Sequence, residues 1–303
     1  MPEVEREPEV ERETVRPGRV LLGFDGSGPA LRALDHAVDA ALRRGTGLAV
    51  LCGWPWGNHW APASAVAIDD GQALCAAARD ALDEAVARAR RKAAGLTVTP
   101  ILTAEVAESA LVRYGRDASL VVLGSRGHGG FAGLLLGSVT QRVAAHSTAP
   151  VLVVRGDPRP PRGTVLVGLA SDADTAALRF GFEEAARRDA GLWVVHAWRL
   201  PASPSAEPSG RLLWDDAEVL AKSAEAVPQF AVAPLRDEFP GVPVRTEAMC
   251  LGAGHALTEA SREAELVVLA AHRRKRRLGL HLGPVTHAVL QHAHCPVAVV
   301  PAD

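Results

Sequence analysis

The sequence predicts two tandem α/β domains of the doubly wound kind, each a five-stranded parallel sheet between layers of helices. Three observations carry that expectation. Valine-rich apolar runs of strand length alternate with longer helical stretches, the pattern of a parallel sheet with crossover helices. The alternation occurs twice: Ser119–Val154 moved by 146 residues onto Glu265–Val300 gives sixteen identities in 36 positions without a gap. One apolar run, Leu120–Leu123, leads directly into the glycine-rich segment G-S-R-G-H-G-G-F-A-G-L-L-L-G-S at 124–138.

The elements follow in order. Residues 1–16 hold P-E-V-E-R-E twice and offer little to bury, so a disordered acidic tail is expected there. The first domain, 17–156, has strands near 18–24, 47–53, 96–101, 119–123 and 150–155. Its helices fall near 28–44, 70–94, 105–117 and 137–147. Asp157-Pro-Arg-Pro-Pro-Arg162 reads as a short, stiff linker. The second domain, 163–303, repeats the strands near 163–169, 191–197, 242–248, 265–269 and 296–300. Its start matches that of the first: Arg19-Val-Leu-Leu-Gly-Phe against Thr164-Val-Leu-Val-Gly-Leu. Right-handed crossovers make each copy a three-layer domain, and such sheets bind ligands beyond the carboxyl ends of their strands, where the strand order reverses.

Composition narrows the function. Of 303 residues 48% are apolar and 22% charged, as in globular proteins, and a net charge of −2 gives no general attraction to nucleic acid. No apolar run approaches the ~20 residues of a membrane span, and no hydrophobic signal segment opens the chain. Cys52, Cys75, Cys250 and Cys295 are scattered without a C-x-x-C pair, which suits free thiols in a reducing cytoplasm. There is no G-x-S-x-G elbow, no H-E-x-x-H and no zinc-spaced Cys/His cluster.

The glycine segment is the chemical signal. Its spacing is Gly124, two residues, Gly127, nine residues, Gly137 and Ser138. Glycines let backbone amides approach an anion, and a helix beginning at Gly137-Ser138 offers unpaired N–H groups to phosphate. Residues 118–156 hold no acid but do hold Arg126, Arg142 and Arg155, a balance that suits a polyphosphate. A tight strand-to-helix turn alone also accounts for glycines. The string is not a P-loop, and although Gly127, Gly129 and Ala132 fit G-x-G-x-x-A, no acid follows before Asp157, so NAD is not expected. Asp25, in G-F-D-G-S after the first strand, is either a ligand carboxylate or the N-cap of the helix starting near Gly28.

G-x2-G-x9-G-[ST] after a valine-rich strand resembles the nucleotide-binding signature of the universal stress protein family. The resemblance extends to V-L-V-V at 151–154 and to R-V-L-L-G-F-D-G-S at 19–27, and it covers nearly the whole chain twice. It implies a crevice between the first and fourth strands that binds ATP, with Mg a candidate companion. Gly23, Phe24 and Asp25 would border the adenosine, and Gly53 would offer backbone groups to the adenine edge. Leu123, Gly124 and Gly127 would lie under the sugar and first phosphates. Gly137, Ser138, Val139 and Thr140 would hold the outer phosphates. Arg126 and His128 stand in the loop, as phosphate or metal contacts or as solvated residues. Trp54, Trp56 and Trp60 follow the second strand, as a lid over the base or as packing. The resemblance also implies that the copies pair through their last strands, Val151–Val154 and Val297–Val300, whose apolar edges need covering. A homodimer remains compatible with that arrangement.

The second copy departs from the pattern: Ala270 replaces Gly124, Arg273 replaces Gly127, Pro284 replaces Ser138 and Ala170 replaces Asp25. Proline removes a donor and Arg273 fills space that a phosphate needs, so one ATP per chain is expected. Its loop His272-Arg-Arg-Lys-Arg-Arg277 is basic, solvated or attractive to a polyanion. The favoured reading is a stress-response binding module that senses ATP in its first domain. A slow ATP hydrolase and a scaffold without nucleotide are the alternatives.

Overall fold

The computed structural model describes residues 17–54, 68–127, 135–156, 159–200, 211–271, 274–276 and 279–302. The acidic tail, Trp56, Trp60, His128, the first two residues of the linker and much of the 272–277 loop lie outside them.

The first half runs β1 (Val20–Gly23), α1 (Gly28–Arg44), β2 (Leu48–Gly53), α2 (Ile68–Lys92), β3 (Val98–Thr103), α3 (Ala107–Tyr114), β4 (Leu120–Gly124), α4 (Ser138–His146) and β5 (Val151–Val154). The second runs β6 (Thr164–Leu169), α5 (Thr175–Arg188), β7 (Gly191–Ala197), α6 (Arg211–Glu238), β8 (Val244–Met249), α7 (Ala253–Ala260) and β9 (Leu266–Ala271). It ends with β10 (Arg274–Arg276), β11 (Gly279–His281), α8 (Pro284–His292) and β12 (Val297–Pro301). The expected helices and strands of the first copy are thus present, with ends moved by a few residues.

Ten of the strands form one sheet in the order β3-β2-β1-β4-β5-β12-β9-β6-β7-β8, and β10 and β11 pair separately. Within each half of this sheet every pairing is parallel. Every residue of β4 and β5 is buried, as befits strands covered on both faces, and continuous valine and leucine runs are what such strands require. The order reverses between β1 and β4, which opens a crevice at their carboxyl ends.

The halves meet at β5 and β12, which run antiparallel with Val297 opposite Val153, Ala298 opposite Leu152 and Val299 opposite Val151. Antiparallel pairing at this point has a geometric consequence. The carboxyl ends of the two half-sheets lie on opposite edges of the ten-stranded sheet, so the two switch-point crevices open away from each other.

Two apolar cores, one on each face of the sheet, are continuous across both halves. One gathers buried residues of α1, α2, α5 and α6, including Leu34, Phe182 and Val232. The other gathers residues of α3, α4, α7 and α8, including Leu111, Val143 and Leu290.

A charged seam joins α1 to α5. Glu184, almost wholly buried, receives Arg44 of the first half at 2.6 Å and Arg188 at 3.0 Å, and Arg187 lies 3.3 Å away. Arg188 also reaches Glu265 at 3.2 Å. A second tie runs from Arg155, whose guanidinium donates to the Val289 and Leu290 carbonyls in the last turn of α8. The Val289 carbonyl also accepts the Ala293 N–H at 2.8 Å, and a cation at this helix C-terminus is well placed.

One element departs from the expected pattern. Part of the basic 272–277 segment lies in an antiparallel hairpin with Arg274 opposite His281 and Arg276 opposite Gly279. Five strands were expected for the second copy, and the hairpin adds two short ones.

Candidate functional site

The crevice is built from three turns. After β1, the Phe24 N–H donates to the Leu51 carbonyl at 2.8 Å, which ties the chain to β2. The exposed Asp25 follows, and its Oδ1 accepts the Ser27 N–H at 3.0 Å. Gly26 has φ of +80°, a left-handed conformation that glycine adopts without steric cost. Ser27, not Asp25, caps α1: its Oγ accepts the Ala30 N–H at 3.2 Å. Ser27 ahead of Gly-Pro was the sequence signal for that cap.

The second turn leaves β4. A Cβ on Gly124 would lie 2.9 Å from the carbonyl carbon of Pro29, so glycine here lets the first turn of α1 pack against the strand end. The buried Ser125 continues the strand ladder through its N–H to the Val154 carbonyl at 2.9 Å. Arg126 and Gly127 are exposed. A Cβ on Gly127 would overlap the Asp25 Oδ2, so the two turns touch at this pair.

The third turn enters α4. The Gly137 N–H donates to the Ser125 carbonyl at 2.8 Å, and Gly137 sits at the N-cap with extended backbone and no side-chain cap. The amides of Ser138, Val139 and Thr140 have no acceptor within the helix. Ser138 is exposed at the first helical position.

The expected residues therefore separate by role. Asp25, Gly124, Arg126, Gly127, Gly137 and Ser138 converge at the switch point. Phe24 and Leu123 are buried, and Leu123 packs on Gly23, where a Cβ would lie 2.5 Å from the Leu123 Cδ2. Val139 packs on the core beneath α4. Gly53 abuts the entry to α3, with its Cβ position 3.3 Å from the Ala107 Cβ. These last positions have backbone rather than side chains to offer a ligand. Trp54 is half-buried, and its N–H donates to the Thr103 carbonyl at 2.9 Å.

The structure assigns partners to three side chains of this region. The Thr140 hydroxyl is buried and donates to the Gly124 carbonyl at 2.8 Å, so it braces the loop base and its proton is not offered to a phosphate. Arg142 pairs with Glu108, and Arg155 holds α8, which leaves Arg126 as the member of that basic trio standing in the loop. Among the described residues, no group of three His, Cys, Asp or Glu side chains is placed to hold a metal.

Cys52, read from the sequence as a free thiol, is buried at the end of β2, and what the sequence did not show is its place near the crevice. Burial, reinforced by the charge of Asp25, pushes its thiol pKa up, which keeps it protonated near the crevice. Only the neighbouring Asp25, distant in sequence, reveals that position.

In the second half the same geometry has changed. Asp174 is buried, and its Oδ2 accepts the Ala170 N–H at 2.7 Å, so a carboxylate of the chain occupies the turn that follows β6. Pro284 stands at the start of α8, where Ser138 begins α4.

Fold and crevice together define a tandem, doubly wound protein with a glycine-rich switch point in its first half. A model described as the universal stress protein family matches residues 17–155 and again 161–301. The chain belongs to that family. Universal stress protein Rv2005c of Mycobacterium tuberculosis is 31% identical over 295 residues, covering 92% of this chain and 96% of the relative. Universal stress protein Rv1996 of the same organism is 35% identical over 201 residues, and the alignment spans 64% of this chain and 62% of that protein, under two thirds of its length. The crystal structure of a universal stress protein from Archaeoglobus fulgidus shares the fold with a TM-score of 0.66 over 94% of this chain and 98% of its own, at 19% identity. No helix among the described residues is long and apolar enough to cross a membrane.

Proposed function

We propose that the first half binds ATP at the β1/β4 switch point and that the protein acts as a nucleotide-dependent regulator in a stress response. One observation carries this reading. Asp25, the exposed Arg126-Gly127 backbone and the uncapped start of α4 converge on one side of the sheet, with glycine at the close approach. A helix N-terminus with free amides suits the outer phosphates, and a carboxylate beside the β1 end suits the hydroxyls or amine of adenosine. The backbone of Gly23, Phe24, Gly53 and Leu123 would line the base and sugar. Ser138 and the Val139 and Thr140 amides would hold phosphate. Pairing of β5 with β12 inside one chain makes the molecule its own pseudodimer in this reading.

Nucleotide released by denaturing the freshly purified protein tests the function. Released ATP supports a sensor, whereas protein that carries none and binds none on titration ends the proposal.

Asp25 gives a sharper test, because it has two jobs. Asp25→Ala is expected to weaken ATP binding by about 1.5–3 kcal/mol, roughly tenfold to more than a hundredfold, and also to lose the bond to the Ser27 N–H. Asp25→Asn keeps an acceptor for that N–H and removes only the charge. Calorimetry should find Asn as weak as Ala, with the Asn variant melting closer to the parent. Parent-like affinity in both would remove Asp25 from the site.

A further inference from the structure

α6 carries two apolar faces, where a helix packed on one side of a sheet needs one. Ala224, Val232 and Leu235 are buried in the core beneath it. On the side away from that core Phe230 is 76% exposed and Val219 64%, with Ser223 and Ala226 between them. These four stand four, three and four residues apart, which lines them up along a helix of about 3.6 residues per turn. Single exposed apolar side chains are ordinary, but a row of them ending in a bare phenylalanine marks a contact surface.

The row indicates its own partner, because it reads alike in both directions. A larger apolar residue closes each end, and two small ones stand at the centre. A second α6 laid antiparallel, with its twofold axis between Ser223 and Ala226, brings Val219 against the partner's Phe230. The partner's Ala226 then meets Ser223, and small residues at the crossing let the helices approach closely. Both flanks extend the match. On one, Leu220, 38% exposed, faces the partner's Val227, beside a cavity of about 440 Å³ between α6 and the turn after β6. Ala226, Val227 and Phe230 wall it on the helix side and Ala170, Ser171 and Asp172 on the other, so the partner's Leu220 has a recess to enter. On the other flank Asp215, Lys222, Gln229 and Arg236 follow at seven-residue steps. The antiparallel register sets position 236 of one copy near position 215 of the other, an arginine against an aspartate at both ends. A parallel pair would set Phe230 on Phe230 and leave those charges unmatched.

We propose that α6 joins two copies of this chain, antiparallel about a twofold axis. The same surface serves both copies, so association stops at the dimer. Apolar contact supplies the attraction, and the charges at positions 215 and 236 fix the direction. α6 and its cavity belong to the second half and stand by the turn after β6, whereas the first-half crevice opens on the opposite edge of the sheet. The dimer therefore leaves each first-half crevice open and does not rest on the ATP reading.

Sedimentation equilibrium of the full chain over a range of concentrations tests the assignment, and a reversible dimer is expected. Phe230→Glu places a charge in the row and should weaken the dimer by roughly thirtyfold or more. Its circular dichroism should match the parent's, because the side chain lies outside the core. Should that variant fail to fold, Val219→Glu gives the same reading at the other end of the row. Direction is tested by charge exchange. Asp215→Arg alone or Arg236→Asp alone sets like charges together at both ends and should weaken the dimer by about tenfold, and the double exchange should restore it. A chain that stays monomeric, a dimer that survives a folded Phe230→Glu or Val219→Glu variant, or single exchanges that the double does not rescue overturns the proposal.

Discussion

Gly127→Arg is expected to abolish ATP binding in a chain that stays folded. Any Cβ at this position overlaps the Asp25 Oδ2, so the carboxylate must turn away, and the longer arginine side chain then stands where a phosphate would approach. Both effects fall on an exposed loop, so the cores on either face of the sheet are untouched. Losing one charge-assisted contact costs about 1.5–3 kcal/mol, and losing this one together with phosphate contacts weakens affinity by more than about a hundredfold. The second half carries this pair of changes naturally, with Ala170 in place of Asp25 and Arg273 in place of Gly127. Titration of nucleotide-free protein should accordingly give one ATP per chain. A ratio near two, or saturable ATP binding in Gly127→Arg, would place the nucleotide elsewhere.

Glu184→Gln is expected to destabilise the fold strongly. The carboxylate is nearly inaccessible and answers Arg44 from one half and Arg187 and Arg188 from the other. Removing one partner of a buried ion pair strands the remaining charges and costs about 3–5 kcal/mol, which urea denaturation would measure directly. Replacing Arg44 and Glu184 together by Met and Leu should recover much of that loss, because a well-packed apolar pair tolerates burial better than an unpaired charge. A Glu184→Gln protein with the parent's urea midpoint would show that the seam contributes nothing.

The same seam sets the response to acid. Burial alone would raise the Glu184 carboxyl, but Arg44 and Arg188 outweigh it and hold its pKa below the ordinary 4.5. A group depressed in the fold stabilises above its unfolded value, and that stability is lost as pH falls through the folded value. The Glu184 contribution is thus complete at neutral pH and declines below 4.5. His36 on α1 is lowered from 6.5 by burial, then by Arg188, with Lys92 and Arg43 adding to it and Asp39 opposing. Its folded form stays neutral, so its contribution declines as pH drops below 6.5 toward the lower folded value. Stability measured against pH should therefore fall in two stages, and His36→Gln should diminish the upper one, to which His294, also lowered from 6.5 by burial, contributes.

Much of the site was legible because its parts are local. Gly137 marks the N-cap of α4, and the Leu120–Leu123 run marks β4, since both depend on backbone and burial patterns within a few residues. Other contacts were not legible because the deciding neighbour is distant in sequence. Gly124 makes room for Pro29, 95 residues away in the chain by their numbers, and the Thr140 hydroxyl turns to the Gly124 carbonyl. Arg142 and Arg155, counted in the sequence only toward a basic balance, reach Glu108 and the end of α8.

The sequence by itself determined the two repeats, the order of their strands and helices, the family signature and the asymmetry between copies. Each of these is written in hydrophobic period, glycine spacing or direct self-similarity. Only the tertiary structure decided which side chains share the crevice, that Glu184 binds the halves together, and that α6 keeps an apolar row on the side away from the core. Those outcomes depend on which faces meet when strands pair and helices pack, and a one-dimensional pattern carries no record of the residue that arrives opposite.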